Sequence, residues 1–154
     1  MTRSDCAICA AHRGVGPLAA APVVWEDDTV VVVHVLDREP AFLGHLVVES
    51  RRHAPYLDGL TAAEAAAVGR AVRAAAAALR AELDVEFVHS AVVTMTHEHF
   101  HQHVHVRHRG TPPDVRWHAS TEWPDAPHGD ADAVRALCAR LRQRLNQELR
   151  PAVS

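Results

Sequence analysis

The sequence predicts an α+β domain with a mainly antiparallel five-stranded sheet, one long central helix and a C-terminal helix. Short apolar and β-branched runs at 23–25, 29–35, 45–49, 87–95 and 99–106 read as strands. An alanine-rich stretch over 61–83 and a second stretch over 130–149 carry apolar residues at helical spacing. At 154 residues the chain fits a single domain, 1–154. The expected core covers about 6–110, and 111–154 contributes an irregular segment and the last helix.

Each element has its own signal. Val23–Trp25 and Thr29–Val35 flank a short acidic turn, Glu26-Asp27-Asp28. A loop, Asp37-Arg-Glu-Pro40, leads through Gly44 into a third strand, His45–Glu49. Thr61-Ala-Ala-Glu64 has capping-box spacing and opens the long helix, on which Leu60, Val68, Val72, Leu79 and Leu83 form an apolar stripe. Phe87–Met95 and His99–Val106 read as the fourth and fifth strands. Gly110-Thr-Pro-Pro113 breaks the pattern, and 114–129, with Trp117 and Trp123, has no periodicity. Asp130–Leu149 closes the chain as a helix with Val134, Leu137, Leu141 and Leu145 on one side.

Composition limits the function. The net charge of −3 argues against binding long nucleic acids, which wants an excess of Lys and Arg, whereas one phosphate needs few donors. No apolar run reaches the ~18 residues of a membrane span. The N-terminal stretch lacks the long apolar segment of a secretory signal, so a cytoplasmic location is expected. Of the three cysteines, Cys6 and Cys9 form a C-x-x-C pair. In a reducing compartment that spacing suits a metal site or a redox pair better than a structural disulfide.

The most telling feature is a row of imidazoles. His99, His101, His103 and His105 alternate with Phe100, Gln102 and Val104. On a strand, alternate side chains share one face, so an extended run presents all four rings together. Such a row can ligate a metal, attack phosphorus or shuttle protons. Cys6 and Cys9 supply half of a tetrahedral sulfur/nitrogen site, with His53 and His99 as the candidate nitrogen ligands. Zinc held by those four ligands has no open position and serves a structural role.

These residues resemble the histidine triad superfamily of nucleotidyl hydrolases and transferases. His99-Phe-His101-Gln-His103-Val-His105-Val-Arg107 looks like its signature, His-φ-His-φ-His-φ-φ followed by Pro-Arg. Asp37-Arg-Glu-Pro40-Ala-Phe-Leu-Gly44-His45 is similar to its nucleoside-binding segment, and Ser50-Arg-Arg-His53 with Leu60-Thr61 to its approach to the long helix. Cys6-x-x-Cys9 with His53 resembles the zinc-bearing branch, which includes galactose-1-phosphate uridylyltransferase. The resemblance spans roughly residues 6–107.

The resemblance implies a covalent nucleotidyl-histidine intermediate at the α-phosphate of a nucleoside phosphate derivative. His101 is the implied nucleophile and His103 the group that bonds a phosphate oxygen and helps protonate the leaving group. Asp37 is implied for the ribose, with Thr96 and Arg107 for the phosphate and Cys6, Cys9, His53 and His99 for zinc. It also implies a homodimer. A second frame, His101, His103 and His105, would make His103 the nucleophile, put Arg109 in the arginine position and Glu98 in the Ser/Thr position. Glu98 suits a phosphate poorly, because like charges repel. His45 is expected to pack near the site without chemistry.

The chain also departs from the family pattern. The Asn-x-Gly and Gly-Gln before the triad are replaced by Val92-Val-Thr-Met-Thr-His97. Gln102 is polar where the signature is apolar, and Val106 stands for the proline. A lyase or group transferase using the histidines as acid and base, and a non-catalytic nucleotide- or zinc-binding module, are the competing expectations.

Overall fold

The computed structural model describes residues 5–149. The chain runs α1 (Ala7–Ala11), a 3-10 turn (Pro17–Ala20), β1 (Val23–Glu26), β2 (Val30–His34), β3 (Ala41–Phe42) and β4 (His45–Ser50). A second 3-10 turn (Leu57–Gly59) precedes α2 (Ala62–Glu82), β5 (Val85–Ala91), β6 (His101–His108), a third 3-10 turn (Trp117–Ala119), β7 (His128–Gly129) and α3 (Ala131–Glu148). Five strands form one antiparallel sheet in the order β1-β2-β4-β6-β5, and β3 and β7 pair separately. The predicted fold class, with its long central helix and C-terminal helix, is the one observed.

Both long helices lie on one face of the sheet. Val30 and Val32 of β2, Leu46 and Val48 of β4, and Val104 and Val106 of β6 are buried there with α2 and α3. The buried face of α2 is mostly alanine: Ala67, Ala71, Ala74, Ala75 and Ala78, with Val68 and Leu79. The expected stripe of larger residues is only partly right, because Leu60, Val72 and Leu83 sit at its margin, partly buried. Small side chains let the helix approach the sheet and α3 closely. The alanine face is therefore consumed inside the protomer. Thr61 and Glu64 close the expected capping box, and Arg52 holds both Glu64 oxygens at 2.7 Å.

Two strand boundaries differ from expectation. β5 ends at Ala91, opposite His103, short of the expected Met95. His99 lies just before β6, and Phe100 bonds outside the strand, its N–H donating to the Ala54 carbonyl at 2.6 Å. The row of four imidazoles is thus not one continuous strand face. Neither α1 nor the β3–β7 ribbon has a signal in the sequence, since five residues and two residues per strand are too few for a pattern to repeat.

The opposite face of the sheet carries the polar residues. The β4–β6 register sets His45 against His105, Val47 against His103 and Glu49 against His101. Directly opposed residues of an antiparallel pair point to the same side, so six side chains of two central strands converge on one surface. Gly44, at φ 110°, immediately precedes β4, and a Cβ there would lie 2.7 Å from Val106 Cγ2 and 2.9 Å from Leu83 Cδ1. Gly44→Ala should therefore destabilise the protein by about 2–4 kcal/mol, from backbone strain and overpacking together. Urea denaturation measures this, and a loss below about 0.5 kcal/mol, the range of neutral surface changes, would contradict it.

Candidate active site and metal cluster

The N-terminal helix builds one half of a metal cluster. Cys6 caps α1, with its Sγ accepting from the Cys9 N–H at 3.4 Å. One turn of helix brings both sulfurs to the same side. The β4–β6 pairing delivers the other half, because His53 follows β4 and His99 precedes β6. The ligand atoms of Cys6, Cys9, His53 and His99 all lie within 4.8 Å of one another.

The spacing fits a tetrahedral ion. His99 Nδ1 is 3.4 Å from both sulfurs, and His53 Nδ1 is 3.5 Å from Cys9 Sγ. Bond lengths of ~2.3 Å to sulfur and ~2.0 Å to nitrogen at the tetrahedral angle put sulfur and nitrogen roughly 3.5 Å apart. His99 Nε2–H donates to the Ser50 carbonyl at 2.6 Å, which leaves Nδ1 as the lone-pair nitrogen facing the sulfurs. Burial lowers the His99 pKa and keeps the ring neutral, as ligation requires. Cys6 and Cys9 are not joined in a disulfide. The structure thus brings the four sequence-predicted metal residues together.

Beside the cluster lies a cavity of about 720 Å³. Asp37, Thr96, His101 and His103 line it, as do His45, Glu49 and His12. His101 Nδ1–H donates to the His99 carbonyl at 2.7 Å. Its Nε2 is therefore the lone-pair nitrogen of a ring that lines the cavity. The His101 and His103 rings are 5.2 Å apart, and His103 Nδ1 shares a 3.0 Å hydrogen bond with His45 Nε2. His45 thus orients a cavity imidazole, a closer role than packing alone.

Arg107 is a correction to the expected set. It does not line the cavity. Its guanidinium donates to the carbonyls of Thr111, Pro112 and Val115 at 3.1, 2.6 and 2.7 Å, and its Nε lies 3.4 Å from Glu86. The polar turn after β6 supplies these acceptors, so the charge ties down the irregular segment. His105 is outside the cavity too. It stacks on Trp117 with an interplanar angle of 21°, and its Nε2–H donates to the Trp117 carbonyl at 3.0 Å. Arg109 is an exposed partner of Asp84. The second triad frame therefore has its last histidine and its arginine engaged elsewhere.

Glu49 and His12 are site residues that the sequence reading missed. His12 Nε2–H donates to Glu49 Oε2 at 2.8 Å, and both side chains are nearly buried. Glu49 had a findable signal: it lies on the same face as His45 and Val47 by strand alternation. His12 had none, because α1 is too short to show periodicity.

Burial sets the protonation of the inner imidazoles. Desolvation, reinforced by the neighbouring rings of His103 and His105, pushes His45 down to about 3. Desolvation, then the rings of His101 and His105, pushes His103 down to about 4. Both are neutral at pH 7, so His103 offers a neutral N–H rather than a ready acid.

No family model matches this sequence, and no curated protein is found to be similar to it. Solved structures do match. A zinc-bound histidine triad family protein from Mycobacterium smegmatis has a TM-score of 0.70 at 22% identity, over 95% of this chain and 96% of its own. A Hit-like protein of Bartonella henselae involved in cell-cycle regulation, solved with an unknown ligand, gives 0.69 at 17% identity, over 94% and 99%. A HIT family protein from Bacillus anthracis gives 0.60 at 25% identity, over 70% and 76%. These likenesses establish the fold. Among the described residues no helix is long and apolar enough to cross a membrane.

The depressed imidazoles have a consequence for stability. A histidine whose folded pKa lies below its unfolded value of 6.5 binds protons mainly when unfolded. Stability should hold above pH 6.5 and fall steadily as the pH drops from there towards about 4, the value for His103. Urea unfolding between pH 7.5 and pH 4.5 and imidazole NMR titration check this. A His103 ring that protonates near pH 6.5 would contradict it.

Proposed function

We propose that this chain, which has the histidine triad fold, is a nucleotidyl hydrolase or transferase. It acts at the α-phosphate of a nucleoside phosphate derivative, with His101 as the nucleophile. The observation that carries the reading is the 2.7 Å bond from His101 Nδ1–H to the His99 carbonyl, on a ring lining the same cavity as Asp37 and Thr96. A neutral imidazole whose Nδ1 proton is held by a carbonyl has its Nε2 lone pair free for attack. Nε2 bonds to phosphorus as the bond to the leaving group breaks and that group takes the electron pair. Water or another acceptor then attacks phosphorus and gives up a proton to solvent, the P–N bond breaks, and the ring regains its lone pair.

The remaining residues position the reactants. His103, held neutral by burial and oriented by His45, donates an N–H to a phosphate oxygen and stabilises charge as it develops. Thr96 offers a hydroxyl to the same group. Asp37, exposed at the cavity margin, accepts from the ribose hydroxyls. Arg107 has no part in this scheme.

Cys6, Cys9, His53 and His99 hold zinc in this reading. Four protein ligands close its coordination sphere, so the ion supplies folding energy and fixes α1 against the sheet. The short distances from both sulfurs to ring nitrogens favour a metal site over a redox pair.

Two experiments test these assignments. Incubation with adenosine and guanosine 5′-phosphate aryl esters, followed by rapid quench and mass spectrometry, should find a nucleotidyl group on His101. His101→Ala should lose that adduct and about 10³-fold or more in kcat/KM. Full turnover in the variant, or turnover with no adduct on any histidine, would overturn covalent catalysis in favour of acid–base chemistry. Elemental analysis should find one zinc ion per chain, lost in Cys9→Ser together with several degrees of Tm. A metal-free protein with a reversible Cys6–Cys9 disulfide would favour the redox pair.

A further inference from the structure

The charge on the cavity wall points to which phosphates can enter. Among the described residues three carboxylates line it, Glu26, Asp37 and Glu49, against one guanidinium, Arg51. Arg51 is already engaged, with Nη2 on Glu26 and Nε on the Asp27 carbonyl. The chain contains no lysine. Arg38, next to Asp37, is turned to that carboxylate and to the Thr121 carbonyl. Arg107 is spent on the carbonyls after β6.

The imidazoles do not make up the difference. Burial keeps His45 and His103 neutral at pH 7. His101 is the proposed nucleophile, and His12 gives its Nε2–H to Glu49. His97, 6.3 Å from His101 between ring centroids, is the one remaining imidazole of the described lining.

Glu49 is the most consequential of the acids. It is 8% exposed and directly opposite His101 across the β4–β6 ladder, where side chains of such pairs stand roughly 5 Å apart at Cβ. A carboxylate so placed is poorly screened by water. It opposes anions in the cavity, and each further phosphate adds to that repulsion with no free guanidinium among the described lining residues to offset it.

We propose that the cavity accepts nucleoside derivatives bearing a single phosphate group and rejects those whose leaving group brings further phosphates, with Glu49 setting this charge limit. The substrate class is thus a diester-like nucleoside phosphate derivative with an uncharged or cationic leaving group. This rests on the nucleotidyl-transfer reading and narrows it.

The test is calorimetric binding of AMP, ADP and ATP to the zinc-loaded full chain at low salt. Affinity should fall by about tenfold or more from AMP to ATP, the scale of an unfavourable like-charge contact. Glu49→Gln keeps the shape and an acceptor for His12, and should bring the ratio to within about threefold. Leu36→Lys, a change at an exposed cavity position, adds a cation and should move the ratio the same way, which keeps the proposal testable if the first variant does not fold. ATP binding as tightly as AMP in the parent, or a ratio unmoved by both variants, overturns the charge limit alone. Binding with the expected ratio but no turnover of an AMP aryl ester sinks the catalytic reading and leaves the charge limit standing. Failure of all three nucleotides to bind the folded protein overturns both.

Discussion

One residue joins the two halves of the site. His99 points its imidazole at Cys6, Cys9 and His53, and its carbonyl accepts the Nδ1 proton of His101 at 2.7 Å. Its other ring nitrogen is held by the Ser50 carbonyl at the end of β4. Whatever fixes His99 therefore fixes the tautomer and direction of His101. The coupling passes through two hydrogen bonds and one residue of backbone, so it requires no movement of the sheet. In the proposed scheme a structural ion does its work at this point, by holding α1 and His99 against β4.

The sheet supplies the rest of the geometry. Its central strands β4 and β6 put an apolar face of Leu46, Val48, Val104 and Val106 against the helices, and alternation then obliges His45, Glu49, His101 and His103 to face the cavity. The core and the site are thus two sides of the same register. A one-residue slip would bury imidazoles under α2 and expose valines. The alanine face of α2 belongs to this economy, because small side chains let the helix lie close enough to seal the apolar side.

Much of this was legible in the sequence. The five strands, both long helices, the capping box at Thr61 and the four residues of the metal cluster follow from periodicity, caps and the C-x-x-C spacing. The fate of the imidazole row was only half legible. Alternation says that rings share a face but not how far the strand extends. Here β6 begins at His101, His99 turns to the cluster, and His105 goes under Trp117. Arg107 misled for a similar reason: its position in the signature is a matter of spacing, whereas its actual partners come from the turn at 111–115. Glu49 and His12 required tertiary information, since their pairing joins the helix of the cluster to the floor of the cavity across 37 positions of sequence.

The most direct test is a long-range ¹H–¹⁵N spectrum of the imidazole rings of the zinc-loaded protein at pH 7. The tautomer and the protonation state of each ring can be read from it separately. The account predicts that His101 carries a proton on Nδ1 and none on Nε2, and that His99 carries its proton on Nε2 with a metal-shifted Nδ1. Removal of the metal by a chelator should then blur or invert the His101 tautomer. A His101 ring with its proton on Nε2 in the loaded protein would leave that nitrogen without the lone pair for attack and would contradict the account.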